Sequence, residues 1–335
     1  MAKYADFIPE NIAPSNVRRI GIYNANGNRV GQIPLGSLTP PTMGQKRYSF
    51  GALADVHITQ DTATFDFQKA LTYLNEDVDV AFTCVCGDLT DNGTAEQFAQ
   101  YKAVVDAYSA DTPVYAIAGN HEATNEATTT ERIQPYTGKP LYYSFTHGND
   151  VFIMVGEYRW NNSYLFEDGE LQWLYETLEA NRNKRCFVFF HVFPWGDSGN
   201  TKGMYTNNLF SGTQGSVFQS LMAHYKNVVL FHGHSHFKFY LQELDRKANF
   251  SSVLGYRSVH IPSLAVPRDI EDGARVDIYA DSEGYVVDVY ENGIHLRGRD
   301  FVKGEFLPIA SYWLDTTLQT VEAGTYRDST GTITT

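Results

Sequence analysis

Long apolar runs are missing from this chain. No stretch of its 335 residues approaches the roughly 18 consecutive apolar positions that a membrane-spanning helix needs, which excludes a membrane partner of that kind. Residues 1–20 hold Asp6, Glu10, Asn11, Pro14 and Asn16 and no apolar core, so they do not read as a secretory signal. Cysteine is scarce: Cys84, Cys86 and Cys186, an odd number inside apolar runs. That argues against a disulfide framework and for buried thiols that act as small hydrophobes. A reducing, cytoplasmic location fits, with a secreted or particle-associated one as the alternative. Positive charge is short as well, with 26 Lys and Arg against 39 Asp and Glu, a net charge of −13. The densest basic stretch is only Arg182, Lys184 and Arg185. Duplex nucleic acid, which is bound by coating phosphates with cations, is therefore a disfavoured partner.

Apolar and aromatic residues are present in quantity. Hydrophobic residues make up 43% and aromatics 14%, including 22 Tyr and 21 Phe, which suits a sizeable core and rules out a disordered chain. Trp160, Trp173 and Trp313 are expected in that core. The length fits one large or two ordinary domains.

Three segments differ in pattern. Residues 1–46 read as an appendage: Arg19–Tyr23 and Arg29–Ile33 flank an Asn/Gly cluster as a β hairpin, and Pro40-Pro41 reads as a linker. Residues 47–261 alternate strand-like runs (Tyr48–Ala54, Val78–Val85, Val114–Ala118, Val151–Val155, Cys186–Phe190, Val228–Phe231) with helical spacing. One such helix opens at Thr94-Ala95-Glu96-Gln97, a capping box. The alternation argues for an α/β fold with helices packed on sheets. Residues 262–335 are β-rich, with a hairpin about Asn292-Gly293 and a Thr/Gly/Ser-rich tail from Gly324 that is expected to fray.

Chemistry collects where those strands end. The first is followed by Asp55-Val56-His57, the second by Gly87-Asp88-Leu89 and the third by Gly119-Asn120-His121-Glu122. Cys186–Phe190 ends at His191, and Val228–Phe231 leads into Gly233-His234-Ser235-His236. In open α/β sheets the carboxyl ends of strands form the ligand edge. Carboxylate, amide and imidazole donors suit Mn²⁺, Fe or Zn²⁺ rather than a soft thiolate-bound metal. The alternate pairs Asp55/His57 and His234/His236 each point to one side if the backbone is extended. Seven donors exceed one four-coordinate ion. Sharing Asp88 gives two sites roughly 3.5–4 Å apart, the spacing of two-metal hydrolases.

This ordered set (D-x-H, G-D-x, G-N-H-E, H, G-H-x-H) resembles the calcineurin-like metallophosphoesterase superfamily over about residues 48–236. The resemblance implies a four-layer α/β/β/α sandwich with two divalent or trivalent metal ions. It implies Asp55, His57 and His236 at the first ion, Asn120, His191 and His234 at the second, and Asp88 between them. Asn120 and His121 are implied to bind substrate, with His121 as the catalytic acid. The implied reaction is hydrolysis of a phosphate monoester or diester by a metal-bridging hydroxide. Gly87-Asp88-Leu89-Thr90-Asp91-Asn92-Gly93 is similar to the bacterial cyclic-nucleotide and glycerophosphodiester phosphodiesterase branch. Purple acid phosphatases carry a Tyr ligand where this chain has Asp91. Relatives often have a second His after the His191 position, where this chain continues Val192-Phe193-Pro194.

The remaining histidines read as structural: His147, His224, His260, His295 and His232. Glu122 either orients His121 or caps its loop, and Trp195–Tyr205 is either a substrate rim or a surface loop. The terminal segments suit oligomer contacts, so a homo-oligomer is entertained. A scaffold or phage-associated protein without turnover, and a nuclease of the same superfamily, are the competing functional readings; the partner expected is a small phosphate ester.

Overall fold

The structure is a computed structural model that describes residues 19–23, 29–34, 43–59, 62–123, 127–160, 163–194, 199, 210–244, 249–252 and 254–327. Strands β1 (Arg19–Tyr23) and β2 (Arg29–Pro34) pair antiparallel as the expected hairpin. β3 (Lys46–Leu53), β4 (Thr83–Cys86) and β5 (Val114–Ile117) run parallel, joined through α1 (Ala63–Thr72) and α2 (Ala95–Tyr108). After α3 (Thr130–Thr137), β6 (Tyr142–His147) and β7 (Asp150–Val155) form a hairpin that begins a second sheet. A small hairpin, β8 (Tyr158–Trp160) and β9 (Ser163–Leu165), precedes α4 (Glu170–Ala180), β10 (Cys186–Phe190), α5 (Gly212–His224) and β11 (Val228–His232). The chain then makes α6 (Phe239–Leu244), β12 (Phe250–Ser251), β13 (Arg257–His260) and the hairpin β14 (Arg268–Glu271) and β15 (Ala274–Asp277). It closes with β16 (Glu283–Tyr290), β17 (Gly293–Asp300) and β18 (Glu305–Asp315).

Two six-stranded sheets result, with orders β18-β17-β16-β3-β4-β5 and β12-β13-β11-β10-β7-β6. The apolar strands are buried on both faces, as parallel strands covered on each side must be. In β10, Phe187 and Phe189 face the other sheet while Cys186, Val188 and Phe190 face α4 and α5. The layer between the sheets is rich in phenylalanine: Phe82 meets Phe152 edge-on at 4.8 Å, and Phe50 meets Phe152 at 5.2 Å. Phe67 and Leu71 of α1 and Phe98 and Tyr101 of α2 cover the outer face of the first sheet. The order of layers is α/β/β/α. No helix among the described residues is long and apolar enough to cross a membrane.

Several expectations are corrected. The division at residue 261 cuts through a sheet, because β16 pairs antiparallel with β3, Val287 opposite Phe50, and β17 and β18 extend that sheet. The second strand begins only at Thr83: the helix after α1 runs on through Tyr73–Val78 as a π-helical turn and stops at Asp79, whose φ of 58° breaks the helical path. Thr94 caps α2 by accepting from the Gln97 backbone, but the Gln97 side chain donates to Thr59 Oγ1 instead of reaching back, so half of the capping box forms. The tail holds to the body as far as Arg327. Tyr326 is buried against Tyr175 and Tyr225, and the Gly324 amide donates to Glu179. Trp313 is 39% exposed on β18 and stacks on His295 at 3.9 Å rather than entering the core. The side chain of Trp160, most of Trp195–Tyr205 and residues 328–335 lie outside the described residues.

Candidate metal centre

The carboxyl ends of β3, β4, β5, β10 and β11 meet at one edge, across the seam between the sheets. The chain beyond β3 does not remain extended. Its amides still bond to the next loop (Asp55 N to Gly87 O at 3.1 Å, His57 N to Asp88 O at 2.9 Å), but Asp55 and His57 hold φ of 54° and 46°. Asp88, His234 and His236 are left-handed as well, with φ of 49°, 73° and 63°. The extended backbone expected for the two alternate pairs is thus corrected. Such conformations cost of order 1–3 kcal/mol each in non-glycine residues and gather at functional sites. Gly87 is required where it stands: φ is 81°, and a Cβ there lies 2.6 Å from the His191 ring.

Each carboxylate is held by a backbone amide at one oxygen and turns the other toward the imidazoles. Asp55 Oδ2 accepts from the His234 amide at 3.1 Å, and Asp88 Oδ1 accepts from the His121 amide at 2.9 Å. Asp55 Oδ1, Asp88 Oδ2 and His191 Nε2 are buried and turn into the cluster, where Asp88 Oδ2 lies 3.0 Å from His191 Nε2 and Asp55 Oδ1 3.0 Å from His236 Nε2. Carbonyl oxygens only accept, so Cys86 O at 2.7 Å from His191 Nδ1 and Val266 O at 3.1 Å from His236 Nδ1 place a proton on each Nδ1. Second-layer bonds of this kind aim the other ring nitrogen at a metal. His236 Nε2 then presents a lone pair to Asp55 Oδ1 at 3.0 Å and to His57 Nε2 at 3.0 Å. Lone pairs packed this way are costly until a cation enters, roughly 1–3 kcal/mol for each unsatisfied group.

The donors fall into overlapping groups. Asp55, His57, Asp88 and His236 bring donor atoms within 4.8 Å of one another, and so do Asp88, His191 and His234. Asp88 is common to both. Asn120 joins the second group, its Oδ1 2.8 Å from His234 Nδ1. A third group, His57, Asp91 and His121, adjoins the first. The charge balance is mutual. Burial alone raises a carboxyl, but His236 and His191 hold Asp55 well below the usual range, and His191 and His121 do the same for Asp88. Burial lowers the His191 imidazole, yet Asp88 and Asp55 overcome it and lift it to about 10. His234 and His236 are pushed down by burial, to about 3 and about 4, which keeps the two rings neutral, the form that coordinates a metal.

The seven candidate ligands and His121 are brought together here. His121 is the outermost: its side chain is 37% exposed, its Nδ1 lies 2.6 Å from Asp91 O, and its Nε2 lies 3.9 Å from Asp88 Oδ2. Burial lowers its imidazole, but Asp88 and the Asp91 carbonyl prevail and hold it above the ordinary range. Glu122 caps rather than orients: it accepts from the Thr90 amide and hydroxyl and from the Gly119 amide, tying the Asp88 loop to the Asn120 loop. Asp91 is a donor that the strand-end motifs do not single out, although it lies three residues past Asp88 in the same loop. Sequence reasoning missed residues 262–268, which strap the site from outside. Ser263 Oγ donates to Asp55 O at 3.0 Å, and the Arg268 amide donates to His236 O at 2.8 Å. No local pattern announces that strap.

Comparison with known proteins agrees with this picture. The family model of calcineurin-like phosphoesterases matches residues 48–238. No curated protein matches the chain by sequence. Among solved structures, the purple acid phosphatase PPD1 from yellow lupin (Lupinus luteus) seeds shares the fold at a TM-score of 0.54 and 15% identity, over 84% of this chain and 58% of that one. The chain therefore spans less than two thirds of the lupin protein. GAP50, the anchor in the inner membrane complex of Plasmodium, is similar at a TM-score of 0.52 and 13% identity, over 82% of this chain and 90% of that one. The family match, the four layers and the buried donor cluster lead to one assignment: the chain belongs to the calcineurin-like phosphoesterase family.

Proposed function

We propose that this protein is a metal-dependent hydrolase of phosphate esters that holds two ions. Asp55, His57 and His236 hold the first, Asn120, His191 and His234 the second, and Asp88 belongs to both. The observation that carries the reading is the membership of Asp88 in two buried donor groups. The donor set suits Mn, Fe or Zn. When bound, such ions supply an activated water and neutralise the oxygens of the phosphoryl group.

The rest is the work of the chain. Two divalent ions carry +4 against the −2 of Asp55 and Asp88, so the pocket attracts a phosphate ester although the protein is acidic overall. Asn120 and His121 contact the substrate. The Asp91 carbonyl holds His121 by Nδ1, which leaves Nε2 on the open side to protonate the leaving oxygen. The substrate is a small monoester or diester.

The test is a substrate panel, bis(p-nitrophenyl) phosphate and p-nitrophenyl phosphate among its members, run on protein of measured metal content. Two ions per chain are expected. Exhaustive chelation abolishes turnover, and Mn²⁺ restores it. Full activity in metal-free protein overturns the mechanism. Two bound ions without turnover on any ester make the protein a scaffold.

A further inference from the structure

A second layer of side chains lies behind the turn that carries His234 and His236. β13 runs parallel to β11 with His260 alongside His232. Ser235, the middle residue of the turn, is fully buried, and its Oγ lies 2.8 Å from Nε2 of His260, which is fully buried too. The residues on either side of Ser235 both hold left-handed φ, 73° and 63°. His234 and His236 reach the donor cluster, while Ser235 reaches away from it into β13. Two left-handed non-glycine residues in three persist only where the surroundings hold them. The Asp55 carboxylate holds the turn at the His234 amide, and the Arg268 amide holds it at the His236 carbonyl. Between those two points stands the Ser235–His260 bond. The His260 ring itself is confined on another side by Gly199, where a Cβ lies 2.8 Å from its Cδ2.

We infer that His260 is a positioning residue for the paired histidines: through its hydrogen bond to Ser235 Oγ it sets the turn so that His234 and His236 reach two different ions. The inference rests on the metal reading above. It gives a task to a histidine that the sequence marks as structural, and to the middle residue of Gly233-His234-Ser235-His236.

The test measures Zn²⁺ and Mn²⁺ affinity of the full chain by competition with a chromophoric chelator. Wild type is compared with His260→Ala, Ser235→Ala, the double variant and His260→Gln. Outer-layer partners of metal ligands contribute roughly 10–100-fold to affinity, so each alanine variant weakens binding by about that factor. The double variant is no weaker than the weaker single variant, because both remove one bond. His260→Gln places an amide near the lost Nε2 and recovers most of the affinity. Thermal unfolding of the chelated proteins, which a purely packing role moves, is recorded beside it. Wild-type affinity in folded His260→Ala overturns the inference, as do losses that multiply in the double variant. If His260→Ala does not fold, unchanged affinity in Ser235→Ala overturns it. A wild-type chain that binds neither ion overturns the metal reading, and this inference with it; a wild type that binds both beside unaltered variants overturns this inference alone.

Discussion

The two sheets deliver different chemistry to the same edge. The first, through β3, β4 and β5, ends in Asp55, His57, Asp88, Asn120 and His121 and so supplies both carboxylates. The second, through β10 and β11, ends in His191, His234 and His236 and supplies imidazoles alone. Imidazole meets carboxylate across the seam twice, His191 Nε2 to Asp88 Oδ2 and His236 Nε2 to Asp55 Oδ1, both at 3.0 Å. Neither sheet alone completes either donor group. The phenylalanine layer that sets the distance between the sheets therefore also sets the distance between charge and imidazole, and metal affinity becomes a measure of sheet packing.

The comparison is broken most severely at Asp88, the one residue in both groups. Asp88→Ala is expected to empty both ion sites and abolish hydrolysis, whereas Asp55→Ala, from the same sheet, empties mainly one. Elemental analysis of the purified variants reads the difference; equal metal content in the two rejects the sharing of Asp88.

A smaller effect is expected at His121, which belongs to the first sheet and which the proposal assigns to the substrate rather than to either ion. General acid catalysis is worth roughly 10²–10⁴-fold, so His121→Ala slows kcat on an alkyl phosphate ester by about that factor. The loss on a p-nitrophenyl ester is much less, because that leaving group departs with little need of a proton. Metal content stays near wild type. Equal losses on both esters assign His121 to electrostatic stabilisation, and loss of an ion removes the acid role.

Glu122 sharpens the picture within the first sheet, since it joins two of the contributing loops. Glu122→Ala strands the Thr90 and Gly119 amides in a buried place, at about 1–3 kcal/mol for each. Chemical denaturation measures the loss of stability, and a metal titration should show weaker binding with it. Full stability in this variant means that the loops hold each other without the carboxylate.

A change in pH dependence is expected at Glu283 on β16, away from the donors. Burial lifts its carboxyl to about 8, while its Oε2 accepts from the Phe239 amide at 2.8 Å. The folded chain keeps a proton that the unfolded chain, with an ordinary value of 4.5, has lost. Stability from this group is thus fully present below 4.5 and falls as the pH rises through about 8. Glu283→Gln flattens that decline, as denaturation at a series of pH values shows; an unchanged profile places the titration elsewhere.

Sequence reasoning reached the ends of the strands better than their flanks. Asp55, His57, Asp88, Asn120, His191, His234 and His236 are legible because spacing along a strand-end loop is a local property. The left-handed backbone at five of them is not, since it is imposed by neighbouring loops. Nor is the pairing of Phe50 with Val287, or the burial of Tyr326 between Tyr175 and Tyr225. Those contacts join residues far apart in the chain, and no short window holds both partners. Asp91 is a third kind of case: its charge is plain in the sequence, but only the fold sets it beside His57 and His121.

The late return of β16 to β3 has a consequence for synthesis. Every donor of the site lies at or before residue 236, yet the strand that covers the edge of β3 ends at Tyr290. A chain emerging from the ribosome therefore carries a complete donor set for a long interval while Phe50 and Ala52 sit on an open strand edge. Pairings so distant in sequence form slowly, and an unpaired apolar edge invites association with other chains in the meantime. Translation that stops anywhere between α6 and β16 leaves a product with every donor residue and an exposed, adhesive flank.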